Sequence, residues 1–205
     1  MDFVNDPTVE SAKALLGKKL VVRHEGIVLS GWIVETEAYL GPEDMAAHTY
    51  NMRRTPRVES MYKEGGTIYV YMIHGHYNMN IVAQKAGIPQ GILIRAIEPD
   101  EGAEIMEARR GALGIEATNG PGKLCKALGV DKTNDGFQLG EGTISLAGEG
   151  SKIPAAIEAS PRIGIPNKGE WTDALLRFFV KGNPYVSKMR KRDMKEDSWL
   201  LQDRS

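Results

Sequence analysis

Cysteine is nearly missing: Cys125 is the only one in 205 residues, which excludes an internal disulfide and fits a reducing compartment. Long apolar runs are missing as well. No stretch of about 18 apolar residues occurs, so nothing reads as a membrane-spanning helix. The opening "MDFVNDPTVESAKALLGKKL" has acids where a secretion signal needs a basic start, and it lacks a continuous apolar centre. These absences predict a soluble, cytoplasmic protein with no membrane partner. Net charge is small too. The chain has 26 Lys and Arg against 27 Asp and Glu, a formal −1, so a polyanionic partner must be met by positive charge gathered on one face. Two basic clusters exist, "RRTPR" at 53 to 57 and "KMRKR" at 188 to 192. Each, taken alone, reads as a solvated face or tail. They permit nucleic acid without requiring it.

What is present is ordinary globular material. Apolar residues make up 41% and charged residues 26%, and the length suits a single domain over 1–205 with a full core. Asp6-Pro7 predicts an N-cap with proline at the first helical position, followed by a short helix that stops at Gly17. "KLVVRH" and "GIVLSGWIVETEAY" read as strands, with Gly31 marking a tight turn or a bulge. Residues 40–66 read as a long loop with short helical turns. "IYVYMIHGHYNMNIV" reads as two strands joined at His74-Gly75-His76, and "QGILIRAIEP" as another strand. "DEGAEIMEARRG" closes like a helix, and "TNGPGKLCKALGV" opens one. No internal repeat or regular βαβ rhythm appears, which predicts an α+β domain with a largely antiparallel sheet flanked by helices. Residues 189–205 read as a charged helix or tail, packed through Trp199, Leu200 and Leu201 or free.

Several residues carry candidate chemistry. Period-two alternation puts Glu35, Glu37 and Tyr39 on one side of a strand. This is either the wet face of an edge strand or a general base at the lip of a pocket, and alternation alone does not choose between the two glutamates. His48 suits a base contact, a cap or a metal ligand, but no Cys cluster or His-Glu-x-x-His helix supports a metal at His74 and His76. "NGPGK" fails as a nucleotide P-loop, because the required Gly and Ser/Thr positions hold Ala117 and Leu124. Its glycines and Lys123 at a helix start still suit an anion. Cys125 sits in a helix and reads as packing.

Taken in order, "VETEAYLGPEDMAAH", "RRTPR", "GTIYVYMIHGHYNMNIV", "GILIRAIEP", "NGPGKLCKALG", "RIGI" and "GEWTDALLRFFVKGNPYVS" closely resemble the alkyladenine (3-methyladenine) DNA glycosylase family, from about residue 7 to residue 188. The resemblance implies a curved sheet with a protruding, DNA-inserting β-hairpin. It also implies a monomeric, cofactor-free and metal-free base-excision repair enzyme, nucleoid-associated if the source is prokaryotic. Such an enzyme flips an alkylated or deaminated purine out of duplex DNA and hydrolyses its N-glycosidic bond, leaving an abasic site. By that resemblance Glu37 activates water, Arg95 and the main-chain carbonyl of Ile163 contact that water, and Tyr39, His48 and Tyr71 stack on the flipped base. Asn80 crowds the 2-amino group of guanine. His74 is the wedge that fills the vacated space, where better-known members carry tyrosine, and the hairpin is one residue shorter between Tyr77 and Met79 than in some relatives. Arg53, Thr55, His76, Tyr77, Lys123 and Lys132 match positions that contact the DNA backbone. A damage-binding module without hydrolysis is the competing expectation. An acyl- or formyl-transferase on a similar scaffold is disfavoured by the lack of a cofactor motif or acyl nucleophile.

Overall fold

A computed structural model describes residues 1–201. Its first helix, α1 (Thr8–Ala14), starts one residue later than the sequence suggests. Pro7 itself stands in the cap position, and no side chain caps it. The chain then makes β1 (Lys19–His24) and the long β2 (Ile27–Tyr39). Three short 3-10 turns cross residues 41–62 before the hairpin β3 (Ile68–Ile73) and β4 (His76–Ala83). β5 (Gln90–Pro99), α2 (Ala103–Arg110) and α3 (Pro121–Leu128) follow, then β6 (Ile144–Leu146), β7 (Ile157–Ser160), α4 (Glu170–Asp173) and β8 (Arg177–Val180). The fold is α+β, as expected, and every strand pair is antiparallel.

The sheet runs β3-β4-β5-β2-β1-β6, and β8 joins β2 along the far half of the edge that β1 leaves free. β2 is therefore a central strand. The edge-strand reading of Glu35 and Glu37 falls, because both carboxylates lie at 0% exposure in the middle of the sheet. Gly31 also departs from expectation. The strand runs straight through it, and the irregularity comes later, where Val34 is extra on β2 and Arg95 extra on β5. Gly31 is needed for close approach instead: a Cβ there would stand 2.5 Å from the Glu98 carbonyl oxygen and 2.8 Å from Ile97 Cδ1. Gly31→Ala is expected to cost about 1–3 kcal/mol, as overpacking does, and to lower the urea midpoint without changing the slope.

Pairing sorts the side chains into two faces, since residues directly opposite one another across an antiparallel pair share a face. One row reads Tyr69, Asn80, Leu93, Glu37, Arg177 across five strands. Tyr71, Asn78, Arg95, Glu35 and Tyr39 sit two residues away and share that face. The other face is apolar: Val70, Met79, Ile81, Ile92, Ile94, Ala38 and Phe178 belong to the core, with Leu124, Cys125 and Leu128 of α3 among their cluster. Each fully buried Leu, Ile or Phe there contributes about 1.5–3 kcal/mol. Burial pushes the Cys125 thiol up to about 12, so it is a packing residue. A smaller cluster of Val58, Met61, Tyr62, Tyr69 and Val82 pins the 40–66 loop to β3 and β4.

The hairpin tip is tighter than a tripeptide. Ile73 pairs with His76, which leaves only His74 and Gly75 in the turn, at φ 48° and 76°. Both signs are those of a type I′ turn, and His is among the few non-glycine residues enriched at positive φ. Beyond Ser187 the described chain forms a single 3-10 turn at Lys191–Asp193 and no longer helix. Trp199 anchors this end, donating from Nε1 to Glu98 at 2.8 Å, while Leu200 and Leu201 are exposed. Residues 202–205 of the expected tail lie outside the described part.

Candidate active site

The polar face opens into a cavity of about 230 Å³ lined by Tyr39, His48, Tyr69, Tyr71, Asn80 and Arg95, with Ile163 and Gly164 among its other walls. Tyr39, Tyr69, Tyr71, Asn80 and Arg95 come from the four adjacent strands β3, β4, β5 and β2, and His48 and Ile163 come from the two loops that fold over that face. The sequence-predicted pocket residues are thus brought together from positions up to 124 apart (163 − 39).

Glu37 stands directly behind this wall. Its Oε1 accepts the Ile163 amide at 2.8 Å, and its Oε2 accepts the Tyr39 phenol at 3.0 Å and meets Arg95 Nη1 at 3.1 Å. All three partners line the cavity. Glu35 differs sharply. It accepts Nε of Arg95, Nε of Arg177, and both the amide and hydroxyl of Ser187. Burial opposes its charge, but Arg95, Arg177 and Ser187 together hold the carboxyl below its ordinary value. Burial likewise opposes the charge on Arg95, yet Glu37 and Glu35 raise its pKa further, so the guanidinium is permanent.

The aromatic residues form a corner. The His48 ring meets the Tyr71 ring edge-on at 4.6 Å, and Tyr69 stacks on Tyr71 at 5.4 Å. Tyr69 also meets His48 Nδ1 through its hydroxyl at 3.2 Å. Burial, then Glu37, pushes Tyr71 up to about 12 and Tyr39 well above its ordinary value, so both phenols stay neutral. Burial, then Arg57 and Arg53, pulls His48 down to about 4. His48 is therefore neutral at pH 7. The unfolded chain takes up this proton near 6.5, so stability falls as pH drops from about 6.5 to about 4, by on the order of 3 kcal/mol. A His48→Gln variant is expected to flatten that segment of the pH profile of the urea midpoint.

The remaining predicted residues sit around the cavity mouth. His74 is exposed at the hairpin tip. His76 opens β4 and abuts α3, since a Cβ at Gly122 would lie 2.8 Å from the His76 Cβ. Tyr77 packs against the core, and Asn80 Nδ2 donates weakly to the Tyr69 carbonyl at 3.4 Å. Arg53 and Thr55 line a second cleft of about 300 Å³ on the other side of His48. Lys123 is already engaged, donating to Glu116 and Asn119, and Lys132 to Val70 and Asp135. Ile163 reaches Glu37 through its amide rather than its carbonyl.

Five residues had no role assigned from sequence: Asp44, Tyr69, Arg162, Arg177 and Ser187. Tyr69 carried a signal, since it lies two before Tyr71 on a strand. The other four act through partners 118 to 152 positions away, and nothing local announces them. Asp44 and Arg162 form a fully buried bidentate pair that ties one covering loop to the other.

Comparison with known proteins agrees over nearly the whole chain. The family profile described as methylpurine-DNA glycosylase matches residues 2–184. A Staphylococcus saprophyticus protein is 53% identical over 199 residues, covering 97% of this chain and 98% of its own length. One from Staphylococcus carnosus is 54% identical, with 97% and 98% covered. One from Staphylococcus aureus strain JH9 is 52% identical, with 97% and 100% covered. All three carry the name "Putative 3-methyladenine DNA glycosylase".

Proposed function

The chain belongs to the methylpurine-DNA glycosylase family and is a hydrolase of N-glycosyl bonds, and from that premise we propose that it excises alkylated or deaminated purines from duplex DNA through water activated by Glu37. The substrates envisaged are of the 3-methyladenine, 7-methylguanine, hypoxanthine and ethenoadenine type. The observation that carries this reading is the position of Glu37, buried and held by Tyr39, Arg95 and Ile163 at the back of an aromatic cavity.

A carboxylate offers about four lone-pair positions, and these three partners take three. The fourth is left for a water at the seam between Arg95 and Ile163. Glu37 takes that water's proton as the water attacks the sugar carbon and the N-glycosidic C–N bond breaks, its electron pair leaving with the purine, and the Glu37 charge also favours the oxocarbenium character developing on the sugar. Arg95 orients the water, and the Ile163 carbonyl accepts its second hydrogen.

Recognition follows from the same walls. Acting on a base inside a duplex requires flipping it out, and stacking on aromatic faces then returns roughly 1–3 kcal/mol per base. Tyr39 supports one face of the purine, and His48 with Tyr71 the other. A neutral His48 adds no repulsion against a cationic alkylpurine, which gains from the electron-rich rings around it. Asn80 narrows the pocket where guanine carries its amino group. His74, at the turn tip, fills the space left in the stack. Arg53, Thr55, His76, Tyr77, Lys123 and Lys132 meet the phosphates, and a single copy suffices for all of this.

Single-turnover release of hypoxanthine and of 3-methyladenine from defined duplexes, with undamaged adenine as control and EDTA present, tests the proposal. Release of either damaged base, leaving an uncut abasic strand, supports it. Tight binding to the same duplexes without release would replace it with the binding-module reading.

A further inference from the structure

Arg95 faces two carboxylates, and only one of them has work in the reaction. Its Nε lies 2.9 Å from Glu35 Oε1, and its Nη1 lies 3.1 Å from Glu37 Oε2. Whichever carboxylate is worse satisfied elsewhere attracts the guanidinium more strongly. Glu35 is satisfied to an unusual degree: Arg177 Nε at 2.6 Å, the Ser187 amide at 2.8 Å and the Ser187 hydroxyl at 2.7 Å all converge on it. Arg177 is itself fixed, donating to the Ser160 hydroxyl and the Ser187 carbonyl and lying 4.5 Å over the Phe179 ring. Two buried carboxylates thus face two buried guanidiniums, and β8 supplies the second.

We propose that Arg177 and Ser187 are positioning residues for the reaction: by satisfying Glu35 they leave the Nη1 edge of Arg95 on Glu37 and so keep Glu37 ionised and aimed at the cavity. The inference rests on the reading of Glu37 as the base. The charged and titratable groups that face Glu37 are Arg95 from β5, Glu35 and Tyr39 along β2, and Tyr71 from β3. Arg177 of β8 stands directly opposite Glu37 in the register and also faces it, with its guanidinium bonded to Glu35, the Ser160 hydroxyl and the Ser187 carbonyl. Arg162, behind the Tyr39 ring, is committed to Asp44. The loop at 163 contributes an amide and no charge.

With Arg177 or the Ser187 hydroxyl gone, Glu35 draws Arg95 toward itself, and Glu37 loses part of the opposite charge that holds its proton off. The direct test is a carboxyl carbon NMR titration of the full chain, with the Glu37 resonance assigned by its loss in Glu37→Gln. In Arg177→Gln the Glu37 midpoint is expected to rise by about one pH unit. Ser187→Ala, which leaves the backbone bond intact, should raise it less, and Arg177→Lys, which keeps the charge, should restore most of it. The acidic limb of the base-release rate should move up by the same amount in each variant. A lower melting temperature with an unmoved Glu37 midpoint in folded Ser187→Ala and Arg177→Gln would show these residues to be structural only and overturn the proposal. A wild type that releases no base, while the Glu37 midpoint still moves in Ser187→Ala and Arg177→Gln, would instead overturn the proposed function.

Discussion

Glu37→Gln is expected to bind damaged duplex as the wild type does and to release base about 10²–10⁴ times more slowly, the span a positioned general base contributes. Glutamine keeps the shape. Its oxygen can still accept the Ile163 amide that now bonds Oε1 at 2.8 Å. Its NH₂, however, would point at Arg95 Nη1 and the Tyr39 phenol, both of which donate to Oε2. The charge that opposes Arg95 is gone, the acceptor for the water's proton is gone, and the remaining donors crowd one another. Binding depends on the cavity walls and the rim cations, which the substitution leaves in place. Single-turnover release with saturating enzyme, beside an equilibrium binding curve on the same duplex, separates the two effects. Retained turnover would sink the assignment of Glu37 as base. Glu35→Gln gives the contrast. It too should slow release, but it removes the charge that neutralises two buried guanidiniums and leaves one acceptor oxygen where there were two, so it should lower the melting temperature as well.

That contrast shows what one sequence can and cannot reveal. "VETEAY" puts both glutamates on the same side of a strand, and the register places them on the same face as Asn80, Leu93 and Arg95. The alternation in "IYVYMI", "YNMNIV" and "ILIRAI" carries the whole polar face in the same way, as tyrosines, asparagines and an arginine spaced by two. Local periodicity is enough for this because strand geometry is local. It cannot tell Glu35 from Glu37, because the difference lies in Arg177 and Ser187, more than 140 residues downstream. Family resemblance made the choice that periodicity left open. The edge-strand reading of β2 failed for a related reason. Two carboxylates in a strand look expensive to bury until the guanidiniums that neutralise them are known. His48 lies in a loop with no period at all, held to the sheet by the small cluster under Val58 and Tyr62, by Thr49 on the Pro89 carbonyl and by the Asp44–Arg162 pair, all of them long-range contacts.

Asp44→Ala is expected to destabilise the protein by about 3–5 kcal/mol, the cost of leaving one member of a buried ion pair uncompensated. At this chain length that corresponds to a melting temperature lower by about 6–20 °C. Asp44 is fully buried, and both its oxygens meet Arg162, at 2.5 and 2.9 Å. They also accept the amides of Leu40 and Ala46, so the carboxylate closes its own loop as well as binding the opposite one. Removal would strand the Arg162 guanidinium with the Ala38 and Trp171 carbonyls and the Tyr39 ring, 4.6 Å away. A paired apolar replacement, Asp44→Leu with Arg162→Met, should recover only part of the loss, because the Leu40 and Ala46 amides would remain unpaired. The consequence reaches the site without any contact to substrate. Arg162 precedes Ile163, whose amide holds Glu37, and it backs Tyr39, which holds the same carboxylate. Base release by Asp44→Ala, measured below its melting transition, should therefore fall along with stability. A melting temperature within about 2 °C of wild type, less than 1 kcal/mol on the same scale, would mean that neighbouring carbonyls suffice for Arg162 and that the pair does not hold the two loops together.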